Sequence, residues 1–108
     1  MTINVTNLFD SMPGDLEQEV FSTIVQSENV KVERIVSRGH TSPASGWHDQ
    51  VENEWVIVLA GEARLLFEDN REVHLLAGGY INIPSHTKHK VIWTPPDIQT
   101  VWLAIHYT

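Results

Sequence analysis

The side chains able to do chemistry in this sequence are imidazoles and carboxylates: six histidines and fourteen Asp and Glu, with no cysteine. Thiolate metal sites, cysteine nucleophiles and disulfides are therefore excluded. Glu54 stands directly before the apolar run WVIVLA, where a carboxylate that becomes buried requires a partner, and a metal cation is one. His48 and Gln50 lie two residues apart, so on an extended strand they share a face. His89, Val91 and Trp93 share a face further along, and His106 alternates with Trp102 and Ala104 near the end. His40, before Pro43, and His74, in a hairpin, read as surface residues. No Gly-x-Ser-x-Gly elbow, phosphate loop or dinucleotide fingerprint is present, and no serine sits in a context that suggests activation by a histidine.

Such residues act only if rigid elements hold them, and the pattern from about residue 19 onward is one of short β-type runs. The expected strands are 19–26, 30–37, 46–50, 54–60, 63–68, 71–76, 80–83, 88–94 and 100–107, rich in Val, Ile, Thr and Trp. Asp69-Asn70 predicts a two-residue hairpin, Gly61 and Gly78-Gly79 predict tight turns, and Pro95-Pro96 ends the penultimate strand. Only residues 7–18 have room for a helical turn, and Pro13-Gly14 interrupts it. The expectation is an all-β sandwich or closed barrel of about eight to ten short antiparallel strands. With 108 residues and no linker or repeat, one domain is expected: an N-terminal arm over 1–18 and a barrel core over about 19–107. Trp55, Ile57 and Leu59 form an apolar stripe opposite Glu54, Val56 and Val58, which predicts a second layer on that face or a homodimer.

Fourteen acidic against seven basic residues leave a net charge of −7, with no Lys/Arg cluster. Nucleic acid and anionic membrane surfaces are poor partners for such a chain, which leaves a small molecule, an ion or a second copy. No apolar run approaches the length of a membrane span, and the N-terminus lacks a basic region followed by an apolar stretch, so a cytoplasmic location is expected. The Asn4 sequon is then a chance match.

Two stretches resemble the paired signatures of the cupin superfamily. The first is GWHDQVENEWVIVLAGEARL, against His-x-His, three or four residues, Glu, six residues, Gly. His48, Glu54 and Gly61 match, and Gln50 stands at the second histidine. The second is GGYINIPSHTKHKVIW, against Gly, five residues, Pro, x, Gly, two residues, His, three residues, Asn. Gly78, Pro84 and His89 match, while His86 replaces the second glycine and Trp93 the asparagine. The resemblance covers roughly residues 30–107 and implies a jelly-roll β-barrel. It also implies one divalent transition metal, Fe, Mn, Zn or Ni, held by His48, Glu54 and His89 with Gln50 in the fourth family position. Two imidazoles and a carboxylate suit such ions and leave open positions for water or substrate. Gln50 is either a neutral oxygen donor or a hydrogen-bond donor to ligand or water, and His86 or His106 is available to supply the missing nitrogen. Gln50 and His86 are the candidates for orienting substrate or moving a proton. Trp47 and Trp93 neighbour proposed ligands and are candidates for the ligand wall. The implied activity is a small metal-dependent oxygenase, isomerase or lyase acting on a small organic molecule; a non-catalytic binding or sensing module is the alternative.

Overall fold

The structure, a computed structural model, describes residues 2–43 and 45–108. Eight strands form: β1 (Val20–Gln26), β2 (Val30–Ser37), β3 (Asn53–Ala60), β4 (Glu62–Phe67), β5 (Glu72–Leu76), β6 (Tyr80–Ile83), β7 (His89–Trp93) and β8 (Thr100–Tyr107). They build a five-stranded sheet of order β1-β2-β8-β3-β6 and a three-stranded sheet of order β5-β4-β7. Every pairing is antiparallel. This is the all-β jelly roll expected from the sequence. No helix among the described residues is long and apolar enough to cross a membrane.

Period-two alternation sorts the side chains. On β3, Val56 and Val58 are buried; on β4, Ala63, Leu65 and Phe67 are. With Leu75, Ile83, Trp102 and Ala104 they form one core between the sheets. Gly61 makes the corner where the chain leaves the larger sheet for the smaller. Its φ is +81°, and a Cβ there would lie 2.7 Å from Thr100 Oγ1, so only glycine fits without displacing β8.

Two local expectations need correction. The predicted strand 46–50 reduces to one bridge, His48 with His89. Gly46 enters it at φ +95°, and beyond it the Gln50 carbonyl accepts the His86 N–H, so the chain turns off before a ladder can extend. The hairpin at Asp69-Asn70 has a three-residue loop, 68–70, rather than two. Asn70 N–H donates to the Phe67 carbonyl at 2.9 Å and Asn70 takes φ 70°, the left-handed residue after a turn that three-residue loops require. In the N-terminal arm, residues 8–11 form a turn and no helix, with Asn7 Oδ1 accepting the Phe9 N–H.

Candidate metal centre

The His48–His89 bridge sets the site. His48 N–H donates to the His89 carbonyl at 2.8 Å and His89 N–H returns the bond at 3.2 Å. Directly opposed residues of an antiparallel pair project to the same side. Both imidazoles accordingly line the cavity between the sheets, His89 buried and His48 exposed, with ring centroids 5.6 Å apart. The Thr87 carbonyl lies 2.9 Å from His89 Nδ1 and can only accept, so Nδ1 carries a proton and Nε2 points inward. Nε2 lies 3.4 Å from Glu54 Oε1, the two side chains being 7% and 13% exposed.

Glu54 comes from β3, with His106 directly across from it on β8. Its Oε1 also accepts the Gln50 side-chain N–H at 3.0 Å. Gln50 therefore offers nitrogen to the carboxylate and acts as its support. His106 faces the same cavity, as its alternation predicted, and its Nε2 lies 3.0 Å from Glu33 Oε1. His48 Nε2 lies 3.3 Å from Ser42 Oγ, which in turn accepts the Val91 N–H at 3.0 Å.

These groups surround a cavity of about 310 Å³ between the two sheets. Its middle is apolar, walled by Ile35, Val56, Leu65, Ile83, Val91 and Trp102. His86 is not part of the wall. Its side chain is 63% exposed, with Nδ1 2.7 Å from Asp49 Oδ1, so its contribution is to fasten the loop carrying His48 and Gln50 rather than to meet a ligand. Trp47 packs under Lys90 and Trp93 under Arg64, and the tryptophan in the cavity wall is Trp102. His40 and His74 are engaged elsewhere, with the Arg38 N–H and Glu62.

Two carboxylates at the cavity, Glu19 and Glu33, were not singled out in the sequence. Glu33 alternates with Ile35 and Ser37, a signal visible in retrospect. It places Glu33 inside only once β2 is known to pair with β8, with Glu33 opposite Ala104 and Ile35 opposite Trp102.

Burial alone would raise the Glu54 carboxyl. The hydrogen bond from His89, the positive charges of His106 and His89, and the Gln50 amide outweigh it and hold Glu54 below the ordinary 4.5. For His89, burial would lower the imidazole, but the Glu54 hydrogen bond, the Thr87 carbonyl and the Glu54 charge raise it above 6.5. Without a metal each partner favours the charged form of the other, carboxylate and imidazolium.

The residues fit a divalent ion in the chemistry of their donors: two imidazoles and one carboxylate. Ligand atoms about 2.1 Å from one ion lie roughly 3.0–3.4 Å apart at octahedral or tetrahedral angles. The 3.4 Å between His89 Nε2 and Glu54 Oε1 matches such an edge. His48, turned toward Ser42, is not converged on them, and among the described residues no three His, Asp or Glu side chains are gathered as a finished metal cluster.

A family model described as a cupin domain matches residues 32–106. A crystal structure from Ralstonia eutropha JMP134, provisionally named a mannose-6-phosphate isomerase, is 35% identical, with TM-score 0.91 over 97% of this chain and 98% of its own. An RmlC-like cupin from Desulfovibrio desulfuricans is 20% identical with TM-score 0.73, covering 97% of each chain. A cupin of double-stranded β-helix fold from Methanocaldococcus jannaschii is 21% identical with TM-score 0.72, covering 99% of this chain and 92% of its own. The last two bear on fold alone. No curated protein matches.

Proposed function

Because the chain belongs to the cupin family, we propose that it holds one divalent transition metal on His48, Glu54 and His89 and acts on a small organic molecule in the cavity. The observation that carries this reading is the Glu54–His89 pair, facing at 3.4 Å inside the cavity with His48 tied to His89 through the backbone. A bound ion of this class polarises a ligand oxygen as a Lewis acid and, where it is redox-active, supports oxygen chemistry.

The chain's own residues do the rest. Gln50 orients the Glu54 carboxylate through its amide. Thr87 fixes the His89 tautomer with Nε2 inward. The His106–Glu33 pair, with Nε2 3.0 Å from Oε1 and His106 opposite Glu54 on β8, places a hydrogen-bonding imidazole and carboxylate at the cavity. The apolar wall removes water from around a bound ligand, which strengthens each of these interactions. Isomerase, lyase and oxygenase chemistry all suit this arrangement, and the provisional name of the Ralstonia relative adds the isomerisation of a phosphorylated hexose to the reactions to assay.

One observation favours a second reading, a binding or sensing module without turnover. Gln50, whose amide nitrogen donates to Glu54, stands at the second histidine position, so the ion has one imidazole fewer than the full family set. Turnover of a bound ligand separates the two.

The test is elemental analysis of protein purified without chelator. The expected result is up to one transition metal per chain, strongly reduced in His48→Ala and His89→Ala. Protein that contains no metal and takes none up on addition refutes the proposal.

A further inference from the structure

The cavity's charge distribution bears on what it admits. None of the described residues lining it is Lys or Arg; of its three carboxylates, Glu54 and Glu33 are paired with the imidazoles of His89 and His106, and Glu19 is not. Lys31, two residues before Glu33 on the same face of β2 and opposite His106, pairs with Glu33 Oε2 at 3.4 Å at the metal end, and is not part of the cavity wall.

Glu54 belongs to the metal end; Glu19 marks the opposite end. Trp102 is four residues along β8 from His106, about 13 Å at the rise of a strand. There the Trp102 indole N–H donates to Ser37 Oγ at 3.1 Å, and the Ser37 hydroxyl donates to Glu19 Oε2. The indole can only donate, so the direction of the relay is fixed and ends on an accepting carboxylate. No Lys or Arg among the described residues forms an ion pair with Glu19. Between the two polar ends lies the apolar wall.

Resting on the metal reading for its near end, we propose that the cavity takes a ligand with an apolar middle whose metal-distal end is an uncharged or cationic hydrogen-bond donor, a hydroxyl or an amine received by Glu19. A phosphate or carboxylate at that end meets the Glu19 carboxylate, and none of the described residues lining the cavity is a Lys or Arg that would compensate it. Burying an anion unpaired is costly, and like charges at short range add to the cost. Phosphorylated ligands are thereby disfavoured, and so are dicarboxylates that span the cavity.

The test uses three probes with a metal-binding hydroxamate at one end and a para substituent at the other: 4-aminomethyl-, 4-hydroxymethyl- and 4-phosphonomethyl-benzohydroxamate. Their affinities are measured by calorimetry on the Mn²⁺-loaded protein, with metal content determined on the same sample. The expected order places the phosphonate at least about tenfold weaker than the other two. Glu19→Gln, which keeps an acceptor for Ser37, is expected to weaken the amine about tenfold, leave the alcohol nearly unchanged and narrow the phosphonate's disadvantage. A phosphonate that binds as tightly as the alcohol, or an amine indifferent to Glu19→Gln, overturns the inference. Protein that takes up no Mn²⁺ refutes the metal reading instead. Benzylamine and benzylphosphonate, titrated against Trp fluorescence in wild type and Glu19→Gln, then decide the charge preference alone: an amine that binds more tightly and depends on Glu19 supports it, and a phosphonate that binds as tightly overturns it.

Discussion

The buried Glu54–His89 pair makes the metal-free and metal-bound proteins respond to pH in opposite directions. In the metal-free protein, the raised His89 value contributes stability that is fully present below 6.5 and lost as pH rises through the folded value. The lowered Glu54 value contributes stability that is present above 4.5 and lost as pH falls through its folded value. The pair is worth most between those limits. A hydrogen bond to a charged group contributes about 1.5–3 kcal/mol, and near the midpoint of a domain of this size each kcal/mol moves Tm by roughly 4 °C or more. Raising the pH from 6 to 8.5 should therefore lower the metal-free Tm by several degrees. Metal binding requires a neutral His89, so the ion must displace that proton. Below the folded His89 value, apparent affinity should rise about tenfold per pH unit, about 1.4 kcal/mol, for this proton alone. Saturating metal should then reverse the sign of the Tm trend over the same range. The assay is scanning calorimetry with and without Mn²⁺ across pH 5.5–8.5, paired with titration calorimetry in two buffers of different ionisation enthalpy to count released protons. Glu54→Gln should abolish the metal-free trend. Affinity that is flat with pH, with no proton released on binding, would show that the ion displaces no proton from His89.

Other expectations follow from single contacts. Gln50→Ala removes the 3.0 Å support of the Glu54 carboxylate and should weaken metal binding about tenfold while leaving the melting temperature of the metal-free protein within a few degrees, read by titration calorimetry and scanning calorimetry. Gly61→Ala places a Cβ 2.7 Å from Thr100 Oγ1 at φ +81° and should destabilise the fold by at least about 1–3 kcal/mol in urea unfolding; a neutral result would mean the corner relaxes freely. Trp55, Ile57 and Leu59 are half-buried on the outer face of the large sheet, Trp55 packing on Tyr80 with centroids 5.3 Å apart. A two-fold dimer covering that face should give a dimer mass by light scattering, lost in Trp55→Glu, whereas a monomer at micromolar concentration would count against it.

Much of this architecture is readable from local pattern. The boundaries of β2, β6 and β8 coincide with the expected runs, and β1, β3, β4, β5 and β7 differ by a residue at one or both ends. Alternation in β3 also assigned its faces correctly, with Glu54, Val56 and Val58 turned inward. What local pattern misses is set by non-local partners. The run at 46–50 has strand-like spacing, but among the described residues it bridges a single residue of β7. His86 has ligand-like spacing after Pro84, but a φ of 58° and a nearby Asp49 turn it to the surface. Spacing brought His48, Gln50, Glu54 and His89 to one cavity, yet it could not foresee that Gln50 would serve the carboxylate. Glu19 and Glu33 belong to the site only through β1 and β2 joining the sheet beside β8.

Metal binding at His48, Glu54 and His89 would be seen in an anomalous difference map from crystals of metal-replete protein, collected at the absorption edge of the ion found by elemental analysis. A single peak is expected about 2.0–2.3 Å from an imidazole nitrogen of His48, His89 Nε2 and a carboxylate oxygen of Glu54, with His48 released from Ser42. A peak seated instead on Glu33 and His106, or a cavity without any peak in protein shown to be saturated, would contradict that placement.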